Sequence, residues 1–289
     1  MNKIKWMLLL GMIALCGIAN AHPKQKMKEG ILLVTFGTSY ENARVAFTHI
    51  EEQVKQEFPE VEIRWSYTSK MIRKILRKRG EEIMSPAEAL AKMGEDGVTH
   101  VAVQSLHVIP GEEYENLKKT VAAFNHMPKG IQVARLGKPL LYNHADNEVM
   151  AAFLSKTFSQ YIDNKSAVAF MGHGTHHAAN IYYAGFQYYL QQQAPQFLLG
   201  TVEGYPELNE VIKELKSKGI KNVTLHPFMS VAGDHAQNDM AGSEGDSWKS
   251  VLEANGFRVK VILKGLAEYE SVNQIWIDHL RKAFNGLKH

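Results

Sequence analysis

Two imidazoles and a carboxylate in the second half of this chain stand just past apolar runs of strand length. His173 comes one residue after AVAFM (167–171), Glu203 directly follows FLLGTV (197–202), and His235 lies shortly beyond NVTLHPFM (222–229). A second carboxylate, Glu113, occupies the matching place in the first half, where Gly111-Glu112-Glu113 parallels Gly233-Asp234-His235. Neutral imidazole and carboxylate suit borderline divalent cations such as Co, Ni, Zn or Fe, and three protein ligands leave a position for water or substrate. The same groups can accept or pass on a proton. Each also has a plainer role. His173 could be a loop histidine satisfied by its neighbours, Glu203 a turn or capping carboxylate, and Glu113 a first-turn acid favoured by the helix dipole. Around His235 the stretch VAGDHAQNDMAGSEGD is too polar for a core and too rich in glycine for a helix, which points to a functional loop.

These residues need a scaffold that brings strand ends together. GILLVTF (30–36) has the length and apolarity of a buried strand and is followed by a helical pattern over 41–58. Strands are expected at 62–67, 100–107 and 131–136, with helices over 69–79, from Ser85 to about Gly94, and over 113–124. Ser85-Pro86-Ala87-Glu88 reads as an N-cap, a proline at the first helical position and a capping box. The second half repeats the order, with strands at 167–171, 197–202, 222–229 and 257–263 and helices over 178–192, 207–218, 247–255 and 274–284. Strands alternating with helices predict parallel sheets covered on both faces. The fold class is therefore α/β: two similar lobes, 28–145 and 146–289, joined by a helix around 147–161. In open parallel sheets ligands bind beyond the carboxyl ends of the strands, where His173, Glu203 and His235 fall.

The N-terminus has the order of an export signal. Lys3 and Lys5 precede an apolar run at 7–19, shorter than the ~20 residues of a membrane span, and Ala19-Asn20-Ala21 supplies the small residues of a cleavage site. The expectation is a signal peptide over 1–21 and a periplasmic mature chain without a stable membrane span, an uncleaved anchor being the alternative. The single cysteine, Cys16, lies within that run, and Leu15 before it is not the small residue that lipidation requires. Cleavage would leave no thiolate, so a metal site must use His, Asp, Glu or backbone oxygen.

A net charge of +3 over 289 residues gives no argument for nucleic acid. Gly37-Thr38-Ser39 lacks the Gly-Lys-Ser/Thr ending of a P-loop, and neither a GxSxG elbow nor an HExxH helix is present. The basic stretch SKMIRKILRKR (69–79) has an apolar face and reads first as a solvated helix, although Lys70 and Arg73 begin beside a strand end.

Taken together, LLVTFGTSY (32–40), QSLHVIPGEEYE (104–115), FMGHG (170–174), VEGYPE (202–207) and VAGDHAQNDMAGSEGDSW (231–248) resemble the CbiK-type anaerobic cobalt chelatases from about Gly30 to the chain end. The resemblance implies a chelatase-like fold, two Rossmann-like lobes with a cleft between them closing on a tetrapyrrole, with Co(II) inserted into sirohydrochlorin or a related acidic tetrapyrrole and two protons released. It implies metal binding by His173 and His235, with Glu203 or Glu113 completing the set, and a catalytic role for His173 and Glu113. Lys70, Arg73, Lys138 and His107, near strand ends, are candidate contacts for the substrate's carboxylates. Co(II) is the expected substrate metal and no organic cofactor is expected; bound haem and a homo-oligomer are left open. The export signal departs from a cytoplasmic cobalamin pathway, so a periplasmic tetrapyrrole- or metal-binding carrier is an alternative, and a protoporphyrin ferrochelatase a third reading.

Overall fold

The computed structural model describes residues 27–288; the expected export signal and cleavage site, and Cys16, fall outside them. The first half runs β1 (Glu29–Thr35), α1 (Val45–Glu57), β2 (Glu62–Tyr67), α2 (Lys70–Lys78), α3 (Pro86–Glu95), β3 (His100–Ser105), α4 (Glu112–Ala123) and β4 (Val133–Gly137). After α5 (His144–Phe158) the second half runs β5 (Ser166–Gly172), α6 (Ile181–Gln193), β6 (Phe197–Thr201), α7 (Leu208–Ser217), β7 (Asn222–Phe228), α8 (Trp248–Ala254), β8 (Arg258–Val261) and α9 (Glu270–Asn285). Each half makes a four-stranded sheet, ordered β2-β1-β3-β4 and β6-β5-β7-β8, and every pairing among the described residues is parallel.

The central strands are buried on both faces. Ile31, Leu32, Leu33 and Val34 in β1, and Ala167 to Met171 in β5, are solvent-inaccessible, as continuous apolar runs demand when helices cover both sides. Helix starts follow their local chemistry. Ser69 Oγ accepts from the backbone N–H of Ile72, and Ser85 and Glu88 form the reciprocal capping box ahead of α3.

Two expectations need correction. The glycine-rich stretch after β7 is not without helix, because residues Ala236–Met240 wind into a short π-helix with Ala236 and Met240 buried. Its two inward-facing apolar side chains anchor the turn even though its other residues are polar. Nor does α9 stay with the second sheet, as a division into 28–145 and 146–289 expects. It packs on β3 and β4 of the first, where Trp276 Nε1 donates to His107 O at 3.4 Å and His279 Nδ1 lies 3.1 Å from Lys138 O. An amphipathic pattern states that a face will be buried, not against which sheet.

Candidate metal centre

Parallel register carries β5, β6 and β7 to one level. Gly172 pairs with Thr201 on one side and Phe228 on the other. Pairing continues one step past the strands: Val202 N–H donates to Gly172 O at 3.1 Å and Glu203 N–H to His173 O at 2.8 Å. His173 and Glu203 are thereby side by side on adjacent chain segments. Gly174 makes the approach possible. Its φ of +83° is a left-handed conformation, and a Cβ there would stand 2.6 Å from the Glu203 carbonyl carbon. Asn180 straps the same two loops together, accepting from Thr175 N–H at 3.1 Å and donating to Tyr205 O at 2.7 Å.

The loop after β7 brings in the third group. Ligand atoms of His173, Glu203 and His235 all lie within 4.8 Å of one another. The two imidazoles meet edge to face, with centroids 4.5 Å apart and planes at 85°, so their nitrogens converge without the rings stacking. The hydrogen bonds of the Nδ1 atoms decide which nitrogens are offered. His173 Nδ1 lies 2.9 Å from Gly174 O, and His235 Nδ1 is held by the Asp239 carboxylate one π-turn on. A carbonyl and a carboxylate accept, so each Nδ1 carries the proton and each Nε2 keeps its lone pair for a cation. The site is only part-buried: the side chains of His173, Glu203 and His235 are 37%, 50% and 30% exposed, which leaves a face open to a second reactant. Across that face stands the loop after β1, with the Phe36 ring 6.2 Å from His173.

The remaining predicted residues are placed elsewhere. Glu113 lies in the first turn of α4, as expected, and is not part of the three-residue cluster. Lys70 is exposed at the start of α2, and Lys138 holds its ammonium 4.5 Å from the Tyr142 ring. Arg73 is engaged by Glu88 at 3.5 Å. His107 turns its ring inward: Nδ1 is 2.8 Å from Ser105 Oγ, Nε2 is shielded from solvent, and burial lowers its pKa to about 4. The expectation that His107 lines a cleft fails on that orientation, because a ring nitrogen with no access to solvent cannot meet a carboxylate entering from outside. Asp239 and Asn180 were missed by the sequence reading. The i, i+4 spacing of His235 and Asp239 could have flagged the first; Asn180 acts through a loop contact that no local pattern announces. A concavity of about 300 Å³ lined by Ser166, Asn222 and Arg258 lies at the amino ends of β5, β7 and β8, the end opposite the three ligands.

A pair of parallel sheets with a His2Glu set at the carboxyl ends of one of them defines a two-lobed metal-handling protein. The sequence matches the cobalt chelatase (CbiK) family over residues 29–285. It is 40% identical over 260 residues to the sirohydrochlorin cobaltochelatase CbiKC of Nitratidesulfovibrio vulgaris (strain Hildenborough), covering 90% of this chain and 92% of that protein. It is 36% identical over 261 residues to the sirohydrochlorin cobaltochelatase of Salmonella typhimurium (strain LT2), covering 90% and 97%. Among solved structures, SirB from Bacillus subtilis with Fe3+ shares the fold at a TM-score of 0.60 and 17% identity, over 90% of this chain and 97% of that one. The chain belongs to the cobalt chelatase (CbiK) family.

Proposed function

We propose that this protein is a metal chelatase that inserts Co(II) into sirohydrochlorin, releasing two protons. The observation that carries the reading is the convergence of His173, Glu203 and His235 at three neighbouring strand ends in a chain of this family. The two Nε2 lone pairs and a Glu203 oxygen hold the substrate cation on one side. Its remaining positions face outward, where pyrrole nitrogens can replace water. Each N–H that enters the metal plane must lose its proton, so two protons leave for each dication that enters and the charge balances. Glu113, from the first lobe, is the group assigned to take and pass on those protons, and His173 can accept one only when the departing cation frees its Nε2 lone pair. Lys70 and Lys138 supply cationic charge for the carboxylates of the macrocycle. Arg73, already engaged by Glu88, and His107 with its ring turned inward, receive no substrate role.

The reading extends to an exported, periplasmic enzyme whose mature chain begins at His22, supported by the basic, apolar and small-residue order of the first 21 residues. Mass spectrometry of the protein from its native host checks this, and a full-length cytoplasmic product would refute it.

The function is tested by anaerobic incubation of purified protein with sirohydrochlorin and Co(II), with protoporphyrin and Fe(II) in parallel, followed by absorbance. Many equivalents of cobalt-sirohydrochlorin per chain are expected. Binding that stops at one equivalent indicates a carrier, and preference for protoporphyrin with iron indicates a ferrochelatase.

A further inference from the structure

The π-helix that follows His235 is held by the opposite lobe. Tyr40, from the loop after β1, donates its hydroxyl to Asp234 Oδ1 at 2.8 Å and accepts from Asn238 Nδ2 at 3.1 Å. Asn238 Nδ2 also donates to Asp234 Oδ1 at 2.9 Å, closing a three-membered set. A second bond crosses the lobes nearby, from Gln237 Nε2 to Asn42 Oδ1 at 3.3 Å. The Gly233 backbone also lies close to a first-lobe side chain: a Cβ on Gly233 would stand 3.1 Å from Thr38 Oγ1. Asp234, Gln237 and Asn238, on either side of His235, therefore all bond to residues of the first lobe or to one another at that contact.

The spacing gives these bonds a consequence. In the wide winding of a π-turn, residues four apart lie nearly in line. Asp234 and Asn238 form one such ridge, facing Tyr40. His235 and Asp239 form the adjacent ridge, with the Asp239 carboxylate on His235 Nδ1. A turn fixed along the first ridge cannot rotate without carrying the second with it. Short π-segments of this kind are frequent at functional sites.

We propose that Tyr40 is a positioning residue for the metal centre: its two hydrogen bonds to Asp234 and Asn238 form a clasp between the lobes that sets the rotation of the π-turn and with it the direction of His235 Nε2. The inference rests on the assignment of His235 as a ligand of the substrate cation. It makes the second lobe's site complete only when the first lobe's loop is docked on it, and thereby ties Co(II) affinity to the register of the lobes.

The test is Co(II) titration of the protein without tetrapyrrole, read by d–d absorbance, together with NMR of histidine-labelled protein without metal. Tyr40→Phe removes the hydroxyl and little else. It should weaken Co(II) binding about 3–10-fold, below the range for a group bonded directly to a ligand, and should move the His235 ring resonances. Asp234→Ala should do the same, Asp234→Asn should retain most of the affinity because it keeps an acceptor oxygen, and the Tyr40→Phe, Asp234→Ala pair should be less than additive. Tyr188→Phe, exposed on α6, is the control and should change neither readout. Parental Co(II) affinity and unmoved His235 resonances in Tyr40→Phe would overturn the proposal while leaving the chelatase reading intact. If the parent itself binds no Co(II), the chelatase reading fails, and the resonances alone decide whether Tyr40 orients the ring.

Discussion

The two lobes share a strand order and differ in chemistry. β2-β1-β3-β4 and β6-β5-β7-β8 are the same arrangement, with the central strand of each buried on both faces. Where the loop after β5 carries His173, the loop after β1 carries Thr38; where the loop after β7 carries His235, the first turn of α4, after β3, carries Glu113. Among the described residues only the second lobe gathers three side chains that could hold a cation. The sheet delivers equivalent loops to equivalent places, and one side chain per loop decides what they do. In the first lobe the corresponding segments carry Glu113, the carboxylate proposed to transfer protons, and Tyr40, whose hydroxyl bonds to Asp234 and Asn238 of the other lobe.

That division of labour sets the order of expected effects. The largest belongs to the second lobe: His173→Ala and His235→Ala should each abolish cobalt insertion, with Co(II) affinity falling by more than ~100-fold, while thermal unfolding stays close to the parent because both side chains sit on part-exposed loops. Insertion that survives either change would break the comparison at its centre. In the first lobe, Glu113→Gln should slow turnover by about 100-fold and leave Co(II) binding nearly unchanged. A parallel loss of affinity would instead make Glu113 a ligand, and the two lobes would share the metal.

The next effect sharpens the role of the π-turn. Asp239→Asn keeps the size of the side chain but removes the charge that holds His235 Nδ1. Co(II) affinity should fall by roughly 10-fold or more, measured by the same titration, and unaltered affinity would mean that the ring is fixed by packing alone. A separate effect is on stability. His226 lies in the second lobe's core, its ring against Phe158 and Phe170 and its Nε2 2.9 Å from the Tyr269 hydroxyl, and burial lowers its pKa to about 3 from the ordinary 6.5. The unfolded chain therefore binds a proton between those values that the folded one refuses. The contribution is fully present above pH 6.5 and is lost as pH falls toward 3. Melting temperature should decline over that window, and His226→Gln, which retains a partner for Tyr269, should flatten the decline. A slope identical to the parent's would show that other groups govern it.

Much of this was legible before any coordinates. Runs such as ILLV and AVAFM, short, apolar and soon followed by glycine, read as strands buried on both faces, and Ser85-Pro86-Ala87-Glu88 marks a helix start by its own hydrogen-bonding capacity. His173 and Glu203 stood out because reactive side chains directly follow strands. What stayed hidden depends on partners distant in sequence or on unusual winding. Asp239 reaches His235 through a π-turn that the glycine content argued against. Asn180 works only because two loops meet over it. The return of α9 to the first sheet turns on Trp276 and His279 finding backbone acceptors at His107 and Lys138, and periodicity cannot name a partner.

In the proposed chelatase, one Co(II) is gripped by the second lobe alone. Crystals of the protein grown with Co(II), measured at the cobalt absorption edge, test it most directly. One strong anomalous peak is expected, bounded by Nε2 of His173, Nε2 of His235 and an oxygen of Glu203, at about 2.0–2.2 Å as in comparable nitrogen–oxygen sites, with Nδ1 of His235 still bound by Asp239. A peak coordinated from Glu113, or one bound away from both histidines, would contradict it.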